Sequence, residues 1–91
     1  MKVRAVWDEE HSHWWFSVLD IVGAINEQGN HEKNRNYWKY LKAKLRKDQS
    51  EVVSDTTQLK LLAPDEKKRL TDVLDVKGVE QLAKAIREIS L

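Results

Sequence analysis

Seven cations, Lys33, Arg35, Lys39, Lys42, Lys44, Arg46 and Lys47, fall within residues 33–47, a stretch without a single Asp or Glu. Residues 1–32 carry two basic and six acidic groups, and residues 48–91 carry seven and nine. The formal net charge of +1 therefore conceals +7 between flanks of −4 and −2. A field of this kind collects polyanions at one place on a surface. The run also has helical order. At 100° per residue, Arg35, Lys39, Lys42 and Arg46 share one stripe, while Trp38, Leu41 and Leu45 share a neighbouring one. Such a helix buries one face and offers the other. Lys-rich surface helices usually intersperse Glu for i,i+4 pairing, and this run has none.

Other residue types capable of chemistry form no comparable pattern. His11 and His13 share a strand face and His31 stands apart; with no Cys, they do not compose a zinc site, so no metal and no cofactor are expected. Ser12 and Ser17 have no His–Asp constellation, Asp8, Glu9 and Glu10 crowd one turn, and the three glycines build no phosphate cradle. The pattern predicts a binding protein and not an enzyme.

The elements that must position the basic run follow from periodicity. Residues 2–7 alternate polar and apolar, with Val3, Ala5 and Trp7 on one face. A polar turn leads to His13-Trp14-Trp15-Phe16, a second strand. Ser17 and Asp20 have the form of a capping box, and Val18, Ile21, Val22 and Ile25 continue at helical spacing, with Gly29 as the stop. The basic helix is expected to start near Asn34 to Asn36 and end around Lys47-Asp48. From Val52, Val53 and Thr56 to Leu62 the composition favours strand, turned at Ala63-Pro64-Asp65-Glu66-Lys67 and returned over Arg69–Leu74. Asp75 is placed to cap a last helix carrying Val79, Leu82, Ile86 and Ile89. The expected architecture is α+β, with two antiparallel hairpins packed on three helices in the order ββαα-ββ-α and a helix-turn-helix-like pair in the middle. At 91 residues this is one small domain. No apolar stretch approaches the roughly 18–20 residues of a membrane helix, and MKVRAVWDEEH lacks a signal-peptide core. The absence of Cys fits a reducing, cytoplasmic setting.

In this order the chain resembles the N-terminal domain of the BRO family, found in phage and prophage antirepressors and in large DNA virus proteins. The resemblance rests on three segments: Ser17, Val18, Asp20, Ile21 and Val22 after an aromatic strand; Arg35, Asn36, Tyr37, Trp38, Leu41 and Lys42; and Thr71, Asp72, Val73, Asp75 and Gly78. It implies a DNA-binding module with a role in transcription regulation, one that is usually followed by a different C-terminal domain; residues 1–91 would hold the module alone.

Both lines of reasoning place double-stranded DNA on the second helix. Arg35, Lys39, Lys42 and Arg46 are the expected phosphate contacts, with Lys33, Lys44 and Lys47 at the margins. Asn34, Arg35 and Asn36 have the chemistry for reading base edges, and Asn34 and Asn36 equally have the chemistry of helix caps. Trp38, Leu41 and Leu45 read as core, whereas Tyr37 and Tyr40 point away from that stripe. Lys60, Lys67, Lys68 and Arg69 on the second hairpin are diluted by Asp65 and Glu66 and read as a solvated turn. A regulatory protein captured through Trp7, Trp14 or Trp15 is the first competing partner, single-stranded nucleic acid or RNA stacked on a strand face is the second, and a homodimer stays open.

Overall fold

The computed structural model describes residues 3–48, 51–63 and 65–89. Lys2, Pro64 and the side chain of Ile89, which entered the expectations above, lie outside them. The order is β1 (Ala5–Asp8), β2 (His13–Ser17), α1 (Val18–Ile25), α2 (His31–Lys47), α3 (Glu51–Asp55), β3 (Thr57–Leu62), β4 (Lys68–Leu74) and α4 (Val76–Ile89). The class is α+β, as expected. The two hairpins are not separate: they join along β2 and β4 into one antiparallel sheet of order β1-β2-β4-β3.

Each element has a local cause. In the first turn Asp8 Oδ1 accepts from the His11 backbone N–H at 3.1 Å, and Ser12 takes a left-handed φ of 52°. Ser17 caps α1, its Oγ accepting from Asp20 N–H at 3.4 Å. The return half of the capping box is missing. The Asp20 carboxylate instead accepts from the Arg4 backbone N–H at 2.9 Å and from Arg4 Nε at 2.7 Å, because a charged donor from β1's N-terminal side reaches it. The Ser17 N–H is already given to the Arg4 carbonyl.

α1 ends earlier than expected, and Gly29 is not its stop. Glu27 adopts φ 53°, Gln28 N–H donates to Gly23 O and Glu27 N–H to Ala24 O, the two bonds of a Schellman motif with Glu27 in the left-handed position. α2 likewise begins at His31, not at Asn34 to Asn36. The cap is Asn30, whose Oδ1 accepts from Lys33 N–H at 3.0 Å.

A short α3 occupies Val52 and Val53, where strand was expected. Val52 is buried in the cluster formed by Val18, Val22, Trp38, Leu41, Leu45, Leu74, Leu82 and Ile86, so tertiary burial overrides β-branched propensity. Thr56 closes the turn, donating its Oγ1 proton to Val52 O at 2.7 Å. The architecture thus has four helices among the described residues, one more than expected. β3 and β4 pair in full register from Thr57↔Val73 to Leu62↔Lys68. Asp75 caps α4 through the Gly78 N–H at 2.8 Å, and Leu82 and Ile86 carry its buried face.

Candidate nucleic-acid interface

Rotation of α2 about its axis is fixed by Trp38, Leu41 and Leu45, which are all buried. Tyr37 is half-buried against the same cluster, so it does not point clear of the core as expected; Tyr40 does. With that face committed, Arg35, Lys39 and Arg46 turn toward a cleft of about 750 Å³ whose opposite wall is formed by β3 and β4. Lys42 and Asn36 also line it, as do Arg4, Gln58, Arg69, Leu70 and Asp72. The stripe predicted from periodicity is therefore brought together on one wall of one cleft.

Charge in the cleft is unevenly committed. Lys42 Nζ lies 3.1 Å from Asp72 Oδ2 and 5.6 Å from the centroid of the Trp38 ring, half-buried and drawn inward. The same carboxylate accepts from Trp38 Nε1 at 2.7 Å, and its other oxygen accepts from Gln58 Nε2 at 3.1 Å. Burial pushes the Asp72 carboxyl up, but the three donors together outweigh it and leave its pKa below the usual carboxylate value. Arg4 is held by Asp20 and by the Leu62 carbonyl at 2.9 Å, clasping β1, α1 and the end of β3. Arg69 pairs with Asp65 four residues earlier; its hydrogen bond holds the Asp65 carboxyl below its ordinary pKa. Arg35, Lys39 and Arg46 have no ion-pair partner among the described residues. Along the axis Arg35 and Lys39 are about 6 Å apart, and Lys39 and Arg46 about 10.5 Å.

The remaining expected contacts fall elsewhere. Lys33, Lys44 and Lys47 are exposed on α2 but do not line the cleft. Asn34 is only 8% exposed, and its Nδ2 donates to Gln28 O at 3.0 Å. It neither caps α2 nor faces outward to read a base; it braces the α1–α2 connection. Asn36 is the exposed member of the pair and borders the cleft. On the hairpin, Lys60, Lys67 and Lys68 are exposed away from the cleft lining, while Arg69 belongs to it.

Sequence reasoning missed Asp72, Gln58 and Arg4 as parts of this site. No local pattern signals them, since each acts on residues distant in sequence. At the opposite end of the sheet, Trp7 and Trp14 form an edge-to-face pair with centroids 5.4 Å apart, 46% and 47% exposed. Beside them Trp15 Nε1 donates to Asp8 Oδ2 at 2.9 Å. No described helix is long and apolar enough to cross a membrane. In comparisons with known proteins, no family model, no curated protein and no solved structure matches this chain.

Proposed function

We propose that this protein is a DNA-binding domain of the BRO N-terminal type, part of an antirepressor-like transcription regulator, contacting duplex DNA through α2. The observation that carries the reading is the alignment of three unpaired cations, Arg35, Lys39 and Arg46, along one wall of the cleft. Oriented cations at helical spacing suit a phosphate backbone, which positions a protein without specifying sequence. Asn36, at the same edge, supplies an amide able to pair with adenine. The resemblance of the three segments to the BRO N-terminal domain supports the same reading.

Fluorescence anisotropy with a random-sequence duplex tests it. The three phosphate contacts on α2 contribute about −2.7 to the log–log salt slope. The triple variant Arg35→Glu, Lys39→Glu, Arg46→Glu is expected to lose binding while its circular dichroism spectrum is retained. Unchanged affinity in the folded triple variant would sink the proposal.

One observation favours a second reading, capture of a regulatory protein: the exposed Trp7–Trp14 pair belongs to the hairpin whose turn carries the exposed Glu9 and Glu10, acidic groups that repel nucleic acid. Trp14→Ser separates the two. It leaves DNA affinity unchanged under the first reading and abolishes partner binding under the second.

A further inference from the structure

The basic stripe of α2 does not stand on an open convex face. It faces the β3–β4 wall across the cleft, and four successive β4 residues, Arg69, Leu70, Thr71 and Asp72, contribute to that wall. This placement restricts how a nucleic acid approaches. A helix with its side chains is about 10–12 Å across, and the major groove of B-DNA is about 12 Å wide. The groove therefore has no room for α2 together with a second wall running beside its basic stripe. The part of a nucleic acid that suits this placement is one sugar–phosphate strand, with the helix on one side and the hairpin on the other.

The chemistry of the hairpin wall suits such a strand. Leu70 is 63% exposed and lines the cleft, so it gives a sugar or base an apolar surface. Arg69 is the one cation of this wall, and its partner Asp65 sits in the turn at the hairpin's tip. Both members of that pair are largely exposed, so exchange of the carboxylate for a phosphate removes no buried charge from its partner. Lys42, by contrast, is tied to a half-buried carboxylate with three donors and stays with the protein.

Resting on the nucleic-acid reading above, we infer that the β3–β4 hairpin is a second jaw: a single sugar–phosphate strand lies in the cleft between Arg35, Lys39 and Arg46 on α2 and Arg69 and Leu70 on β4, and Arg69 exchanges Asp65 for a phosphate. The strand comes either from a single-stranded nucleic acid or from one strand of a duplex.

The experiment offers one random-sequence oligonucleotide single-stranded and as a blunt duplex, with polyglutamate as a polyanion lacking sugar and base. Arg69→Ala is expected to weaken binding about tenfold and to make the salt slope shallower by about one. Leu70→Ser is expected to weaken binding without changing the slope. Asp65→Asn is expected to tighten binding roughly two- to fivefold, whereas Glu66→Gln, which removes the neighbouring carboxylate, has a smaller effect. Preference for the single strand or for the duplex identifies the source, and either supports the jaw when Arg69→Ala and Leu70→Ser weaken it. Binding of polyglutamate as tight as that of the oligonucleotide overturns the inference, as does an equal gain from Asp65→Asn and Glu66→Gln. If the α2 triple variant loses binding while Arg69→Ala and Leu70→Ser bind as the parent does, the jaw is wrong and the helix reading stands. If the parent protein binds neither form, both are wrong.

Discussion

The indole N–H of Trp38 and the carboxylate of Asp72, 34 residues apart in sequence, meet at 2.7 Å and tie the basic helix to the sheet. Lys42 and Gln58 complete the coordination of the same carboxylate, so one acidic side chain holds three donors from two elements. Asp72→Ala leaves the Trp38 and Lys42 donors without their acceptor and is expected to cost about 2 kcal/mol in urea denaturation. It also frees Lys42. The salt slope of DNA binding should then steepen by about 0.9, the contribution of one further phosphate contact. A variant as stable as the parent would contradict this role.

Lys39 and Lys42 sit one turn apart in the same cleft and should behave differently. Lys39→Ala removes an unpaired cation, reducing affinity and making the slope shallower by about 0.9 without affecting stability. Lys42→Ala removes a structural ion pair, lowering stability by about 1 kcal/mol and leaving the slope unchanged. Paired salt titrations and denaturation curves distinguish the two, and equal slopes for both variants would show that Lys42 is not held back.

Gly23 is set by close approach and not by its own φ. A Cβ there would lie 2.6 Å from Asn34 Nδ2 and 2.9 Å from the Gln28 carbonyl oxygen. The side-chain amide could retreat only by giving up its bond to Gln28, and the carbonyl is backbone. Gly23→Ala is therefore expected to destabilise by about 1–3 kcal/mol despite the higher helix propensity of Ala. Thermal unfolding checks this; a gain in Tm would refute it.

The Asp8–His11 pair makes the first hairpin pH-dependent. The hydrogen bond from His11 Nδ1 to Asp8 at 2.8 Å, reinforced by their opposite charges, raises the His11 pKa. Its folded value lies above the unfolded value of about 6.5, so its contribution is fully present below about 6.5 and is lost as pH rises through the folded value. Asp8 has the opposite sign. The Trp15 indole N–H first, and then His11, hold its carboxyl far below the usual range. Its contribution is present above about 3.9 and is lost as pH falls through the depressed value. In NMR titration the His11 ring should titrate above about 6.5, and Asp8→Asn should return it toward that value. A midpoint at or below it in the parent protein would rule the pairing out.

Features encoded by neighbours in sequence were legible before the structure. The Ser17 cap, the buried set of Trp38, Leu41 and Leu45, the turn around Asp65 and the Asp75 cap each depend on residues a few positions apart. The cap of α2 was sought at Asn34 or Asn36, but the helix starts one turn earlier: Asn30 caps it, and packing against the α1–α2 connection buries Asn34. α3 was hidden because Val52 and Val53 favour strand until a cluster from three other helices offers to bury Val52. The second wall of the cleft had no local signature at all. Lys42 looks like its three neighbours on the stripe, and only a carboxylate 30 residues away distinguishes it.

The seam of the sheet consists of Phe16 paired with Leu74 and Ser17 with Val73, the two hairpins being otherwise local structures. Hairpins form in about 1–10 μs, whereas pairing across most of a chain waits on closure of a long loop. α2 lies within that loop, and the wall facing it arrives with β4. During synthesis the cationic helix therefore emerges well before its counterpart, and the cleft comes into being only when the seam zips. Nothing can be gripped between α2 and β4 until translation has passed β4 and the loop has closed.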